Sequence, residues 1–116
     1  MSRSCRVRIA QQAELDLFEI FKWTTENFGV RQAEYYAETV SLAVEALHDG
    51  PEILGSKPRD EIAPGIRTLH VARHGRKGRH FVVFRVTDQD VWDVLRLLHD
   101  SMDLARHLPA INDFPH

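Results

Sequence analysis

The residues best suited to chemistry lie in the last third of the chain, where short apolar runs carry histidine and arginine side chains. His99 ends one such run, and Arg67 and Arg85 lie in the two runs before it. A histidine can exchange a proton near neutral pH, and arginines can pair with acids or hold an anionic group. The alternative is that His99, at the end of a strand, bonds the following turn through Asp100 or Asp103. A catalytic trio of Ser101, His99 and Asp103 is disfavoured, because nothing resembling a nucleophile elbow surrounds the serine.

A metal site is not expected from this sequence. His70, His74 and His80 show no recognised zinc spacing, and the single cysteine, Cys5, offers no second thiolate. Cys5 is therefore interpreted as packing. No motif for another cofactor is found, and we expect none.

Charge is distributed unevenly along the chain, although the net charge is only -2. Residues 62–87 contain six basic residues and no acid, whereas residues 14–61 contain eleven acids and four bases. Folding should therefore produce a basic region and an acidic one. The basic region is either a solvated hairpin, whose arginines pair with acids on the helices, or a surface for an anionic partner.

Length and composition indicate a single domain spanning residues 1–116, with a core of about 5–108 and a frayed tail at 109–116. The chain has 116 residues, of which 43% are hydrophobic and 28% charged, as in ordinary globular proteins. No apolar run approaches the roughly 20 residues needed to span a bilayer, and the first residues lack a signal-peptide core. We expect a cytoplasmic protein that does not associate with membranes.

The first half of the chain has helical periodicity after a short strand at residues 5–9. Apolar residues recur every three or four positions from Ala13 to Phe28, and Gly29 is placed to end that helix. A second amphipathic helix follows over residues 30–47 and ends at Gly50. Such a tight connection predicts an antiparallel helical hairpin that packs on a sheet.

The second half has the period of strands. Residues 52–64 read as a surface loop, and two glycines at 75 and 78 suit a hairpin loop. The predicted elements are strands at 66–72, 79–86 and 91–99 in an antiparallel meander, then a short helix at 101–108. The last strand, apolar on both faces, is expected to be central. Trp23 and Trp92 are interpreted as core residues. The fold class is α+β, β-α-α-β-β-β with a short C-terminal helix, on a mostly antiparallel sheet.

This order of elements resembles the RelE/ParE superfamily of bacterial toxins. The similarity covers about residues 5–108, and no single motif carries it alone. The matching stretches are residues 13–17 with Ile20 and Trp23, Phe28-Gly29 with Gln32-Ala33 and Tyr36, Pro51 to Gly55, Gly65-Ile66-Arg67, and residues 95–103.

The resemblance implies one of two activities. RelE-like members are ribosome-dependent ribonucleases with lysines, arginines and a tyrosine or histidine near the C-terminus, whereas ParE-like members poison DNA gyrase. Tyr35 and Tyr36, the only tyrosines, lie on the second predicted helix, and Lys57 is the only lysine in the loop before the meander. The tyrosine-based site is absent, which favours a ParE-like toxin that acts by binding. The alternatives are a messenger RNA endonuclease using His99 with Arg67 and Arg85, or a toxin-fold binding module without toxicity.

The resemblance also implies partners and binding residues. A cognate antitoxin is expected to fold along the toxin, in the groove between the helical hairpin and the sheet, and operator DNA is expected to be reached only through that antitoxin. Candidate gyrase-binding residues are Arg67, Arg73, Arg85, Arg96, Met102, Asp103 and Arg106. Candidate antitoxin-binding residues are Phe21, Tyr36, Val40 and Arg79.

Overall fold

The computed structural model describes residues 6–50, 53–88 and 91–101. The short helix predicted at 101–108 lies beyond these ranges except for its first residue. Met102, Asp103, Arg106 and Cys5 also lie outside the described residues, so the predictions made for them are carried no further here.

Eight elements follow one another along the described ranges of the chain. The first half holds a short strand and two helices joined by a single residue, Gly29, and the second half is built of strands. The elements are β1 (Arg6–Ile9), α1 (Gln11–Phe28), α2 (Val30–Ala46), a 3₁₀ turn (Leu47–Asp49), β2 (Ser56–Pro58), β3 (Ile66–His70), β4 (His80–Asp88) and β5 (Val91–His99).

The strands form one five-stranded sheet in the order β1-β5-β4-β3-β2. β1 runs parallel to β5, and every other neighbouring pair is antiparallel. The α+β class, the meander of β3, β4 and β5, and the interior position of β5 are confirmed. The interpretation of residues 52–64 as a loop was wrong at one place, because β2 pairs there with β3 as a three-residue edge strand.

The helical hairpin packs on one face of the sheet and buries the main core there. Ala13 of α1 and Val40 of α2 meet Phe84, Trp92 and other sheet residues, and Trp92 is only 3% exposed, as its core interpretation required. Full burial of a side chain such as that of Phe84 contributes roughly 1.5–3 kcal/mol relative to exposure. The opposite face carries a smaller buried cluster, made of Ile66, Val83, Leu95 and Leu98.

A bulge in β5 lets the sheet fit the hairpin. The register between β4 and β5 shifts between Val83 and Phe84, so that Val94 and Leu97, three residues apart, both face the helix-side core. The side chain of Asp16 in α1 contacts this bulge. Its carboxylate accepts two hydrogen bonds from Arg96, at 2.8 and 3.1 Å, and one from the N–H of Leu97 at 3.0 Å. The bulge and Asp16 therefore fix α1 on the sheet.

Within the described ranges, neither helix is long and apolar enough to cross a membrane.

Candidate functional site

A cavity of about 690 Å³ opens where the α1–α2 turn meets the ends of β4 and β5. This volume is within the range of ordinary ligand and peptide pockets. Its walls are apolar near α1 and polar near the strands. The lining residues are Glu19, Ile20, Trp23, Thr24, Phe28, Gln32, Tyr36, Arg79, His80 and His99.

Two exposed aromatic rings form the rim of the cavity on α1. Trp23 is 59% exposed and Phe28 is 65% exposed, and their rings meet edge to face with centroids 5.8 Å apart. The interpretation of Trp23 as a core residue was therefore wrong. The buried stripe of α1 runs through Ala13 and Thr24, and Trp23, one position from Thr24, is turned about 100° away from it around the helix.

Gly29 brings α2 beside this aromatic rim. Its φ of +93° is the conformation that glycine adopts without a steric penalty, and its N–H bonds the carbonyl of Thr25 at 2.9 Å. The predicted end of the first helix at Phe28 is confirmed. Because the turn is this short, Gln32 and Tyr36 of α2 face the same cavity as Phe28.

A hydrogen-bonded pair, Tyr36 and His80, lies on the strand side of the cavity. The Tyr36 hydroxyl accepts the backbone N–H of Arg79 at 2.9 Å and lies 2.7 Å from Nδ1 of His80. Burial raises the pKa of Tyr36, so its hydroxyl keeps its proton and shares a hydrogen bond with that ring nitrogen.

His80 is held in its neutral form. Burial and the neighbouring His99 lower its pKa to about 4, against the opposing influence of Asp100. The His80 and His99 rings stand edge to face with centroids 5.2 Å apart, and the two residues are directly opposite each other across β4 and β5. His80 therefore carries no charge at neutral pH.

His99 bonds the turn that follows it. Its Nδ1 accepts the N–H of Ser101 at 3.1 Å and lies 2.7 Å from the Ser101 hydroxyl oxygen. Asp100 approaches the same nitrogen at 3.6 Å. A serine–histidine–aspartate relay needs its serine and its carboxylate on opposite nitrogens, so Asp100 and Ser101 do not form one with His99. Because Nδ1 accepts, the N–H of the His99 ring is on Nε2.

Asp100 forms hydrogen bonds, beside the cavity, with the last residue of β3 and with the residue that precedes β4. Its carboxylate lies 3.0 Å from Nε2 of His70 and 3.3 Å from Nε of Arg79. The hydrogen bond from His70, together with that from Arg79, lowers the pKa of Asp100. Arg79, whose side chain is 71% exposed, is thereby held at the polar rim.

The arginines proposed to work with His99 lie elsewhere on the sheet. Arg85 is opposite Asp93, five residues along β4 from His80, which corresponds to about 17 Å at roughly 3.3 Å per residue. Arg67 is opposite Phe84, and its Nε donates to the Ser56 hydroxyl at 2.9 Å. His99, Arg67 and Arg85 therefore do not converge on one phosphate.

Two further candidate target-binding arginines have partners within the chain. Arg73 reaches the carbonyl of Leu54 at 3.4 Å. Arg96 is committed to Asp16 in a largely buried pair, so its guanidinium fixes the bulge and is not presented as free surface.

The candidate antitoxin-binding residues separate into two groups. Tyr36 and Arg79 line the cavity, and Phe21 is half-buried on α1. Val40 is only 1% exposed in the helix-side core, so it cannot offer its side chain to a partner, and its assignment was wrong. The sequence did not identify Trp23, Phe28 and His80 as residues that line the cavity. For the two residues of α1, an aromatic side chain beside the amphipathic stripe is a signal that could have found them.

The histidines do not gather into a metal site within the ranges that the structure describes, where no group of three or more suitable ligands is found. His70 and His80 point to opposite faces of the sheet, because His70 is paired with Phe81 and neighbouring positions alternate.

Known proteins are similar to this chain in both sequence and fold. The family model described as ParE toxin of type II toxin-antitoxin system, parDE, matches residues 7–104. A protein named Toxin ParE1 from Mycobacterium tuberculosis is 35% identical over 105 residues, covering 90% of this chain and 99% of its own length. Toxin ParE1 from Caulobacter vibrioides is 28% identical over 101 residues, covering 87% and 95% respectively.

Solved structures show the same architecture at lower identity. A chain of the chromosomal ParDE toxin–antitoxin system from P. aeruginosa superposes with a TM-score of 0.69 at 21% identity, over 83% of this chain and 96% of that one. A chain of the RelBE2 toxin–antitoxin complex from Mycobacterium tuberculosis gives a TM-score of 0.54 at 21% identity, over 84% and 99%. The family match and the Toxin ParE1 identity establish that this chain belongs to the ParE toxins of type II toxin–antitoxin systems, within the RelE/ParE superfamily.

Proposed function

We propose that this toxin inhibits DNA gyrase in the cytoplasm and is neutralised by a cognate antitoxin. The observation that carries the proposal is its membership of the ParE family over residues 7–104. The arrangement of the arginines supports it, because Arg67 and Arg85 lie far along the strands from His99 and do not build a cleavage site with it. An inhibitor that acts by binding needs no such convergence.

The antitoxin docks, in this proposal, where the hairpin meets the sheet. The cavity between α1, α2 and the ends of β4 and β5 supports this placement, since exposed rings at Trp23 and Phe28 cost solvation free energy until a partner covers them. Gyrase contacts are assigned to Arg67, Arg73 and Arg85 of the basic region. Arg67 lies opposite Phe84, on the helix side of the sheet, and Arg85 lies opposite Ile66, so these two arginines belong to different faces of the sheet.

The proposal is tested by inducing the toxin in bacteria and following plasmid supercoiling and message integrity together. Gyrase inhibition should relax plasmids, seen on chloroquine gels, while primer extension shows intact messages. Co-expression of the cognate antitoxin should restore both growth and supercoiling. Normal growth and normal supercoiling at high toxin level would contradict the proposal and favour a binding module without toxicity.

Messenger RNA cleavage is the second candidate function. It is favoured by one observation, the meeting of His80, His99 and Arg79 at one cavity, because two histidines and a cation can act on a phosphodiester. In the same induction experiment, cut messages with normally supercoiled plasmid would select this function. Replacing His99 by Ala would then abolish killing, whereas a gyrase inhibitor should kill with little change.

A further inference from the structure

We propose that the cavity is an anchor site for one short acidic segment of the antitoxin, which inserts a bulky apolar side chain between Trp23 and Phe28 and places a neighbouring carboxylate against Arg79. This inference rests on the proposed neutralisation by an antitoxin and specifies the chemistry of the residues that bind. It is independent of what the toxin does to its target.

The apolar half of the anchor site fits one large side chain. Ile20 forms the inner wall, and the Trp23 and Phe28 rings stand at the rim with their edge-to-face contact open to solvent. Exposed aromatic rings around a concave apolar surface are the usual composition of binding hot spots. Covering them removes apolar area from water, which is a favourable free-energy change for both partners.

The polar half of the anchor site presents donors. The Ser101 N–H occupies Nδ1 of His99, so the N–H of that ring is on Nε2. Arg79 adds a guanidinium held in place at Nε by Asp100. A side lined by an imidazole N–H and an arginine is complementary to an acceptor, and to a carboxylate in particular.

The cavity also fixes the orientation of the segment. Glu19 lies on α1 among the apolar wall residues, away from Arg79 on the strand side. A carboxylate near Glu19 would be repelled, whereas one on the side of the Arg79 guanidinium away from Asp100 is attracted, so the acid is placed on the strand side. The anchor residue and the acid are therefore neighbours in the segment, with the apolar side chain toward α1.

The test uses the purified full-length toxin and a defined probe. The probe is a nine-residue, capped, fluorescein-labelled peptide with one Phe followed by one Glu on an Ala and Ser background, and binding is read by anisotropy. Replacing its Phe by Ala, or its Glu by Gln, should each weaken binding by about tenfold, the loss expected for one anchor contact. Equal binding of all three peptides would overturn the proposal.

Toxin variants assign the two halves of the site. Trp23→Ala should weaken the Phe–Glu peptide by about tenfold, while Phe18→Ala, an exposed ring on the same helix outside the cavity, should leave it unchanged. Arg79→Gln should erase the preference for Glu over Gln, and Arg73→Gln should preserve it. Circular dichroism melts confirm that each variant is folded, and Phe28→Ala replaces Trp23→Ala if the latter is not.

Other occupants give different outcomes. If sedimentation shows a toxin dimer that Trp23→Ala converts to monomer, a second copy of this chain covers the rim, and the proposal is wrong. If the toxin inhibits gyrase and is neutralised by its antitoxin but the peptide and its variants show no preference, only the anchor site fails. If the peptide preferences hold and gyrase is unaffected, the proposed target fails and the anchor chemistry stands.

Discussion

Replacing His80 by Asn should remove a large part of the acid sensitivity of the folded toxin. The His80 ring is half-buried and its pKa is lowered from 6.5 to about 4, first by burial and then by His99 and His70, with Asp100 and Asp16 acting in the opposite direction. The Asn side-chain amide can still form a hydrogen bond with the Tyr36 hydroxyl in place of Nδ1. The substitution therefore removes the titration while keeping that hydrogen bond.

The sign and size of this pH effect on the free energy of unfolding follow from proton linkage. Below pH 6.5 the unfolded chain binds a proton at this histidine, whereas the folded chain does not until the pH approaches 4, so stability is complete above 6.5 and falls between these values. The difference corresponds to at most about 3.4 kcal/mol, and solvent screening of a partly exposed ring reduces it to about 2 kcal/mol. Below pH 4 this contribution no longer changes.

The assay is urea unfolding at several pH values between 7 and 4, with the free energy of unfolding compared for each protein. Wild type should lose about 2 kcal/mol more than His80→Asn between pH 7 and pH 4. His74→Asn, at an exposed loop position with φ of +52° that asparagine tolerates, is the matched control and should retain the wild-type pH dependence. If the free energies of unfolding of wild type and His80→Asn differed by the same amount at every pH, the reasoning would be refuted.

Three further predictions concern the bulge, a close contact and the basic region. Asp16→Ala should lower the free energy of unfolding by about 2–4 kcal/mol, measured by thermal or urea unfolding, because it leaves the Arg96 guanidinium and the Leu97 N–H without their hydrogen-bond acceptor. A double-mutant cycle with Arg96→Met should recover part of that loss, and additive losses would contradict it. Gly78→Ala should destabilise by about 1–3 kcal/mol, since a Cβ there would overlap a methyl of Val71 and crowd the Tyr36 ring, whereas Gly75→Asn, with open space around it, should cost much less. Arg67→Ala should relieve growth inhibition without unfolding the toxin, and the matched loop variant Arg59→Ala should remain as toxic as wild type.

Local signals predicted most of the fold. Gly29 ends α1 because it takes a positive φ, and the apolar run Val91–His99 forms an interior strand because both of its faces are covered. β2 escaped prediction because three residues with a proline at the end show no measurable alternation. The hydrogen bond of His99 to its own turn is also local, and it was foreseen as an alternative.

The candidate site depends on long-range register, which the sequence does not reveal. His80 meets His99 only because β4 and β5 pair in that register, with two irregularities between them. The bulge near Arg96 reverses the alternation of β5, so a count of every second residue could not place Leu97 and His99 on the helix side. Trp23 was assigned to the core and Val40 to a binding surface because helical periodicity locates the apolar stripe of a helix but not the boundary between its buried and exposed positions.

The most direct test of the central claim is a supercoiling assay with purified DNA gyrase, relaxed plasmid and the purified toxin. The account predicts that the toxin inhibits ATP-dependent supercoiling in a dose-dependent way, that Arg59→Ala matches it, and that Arg67→Ala is markedly weaker. Full supercoiling at a large molar excess of folded wild-type toxin would contradict the claim that this ParE family member acts on gyrase.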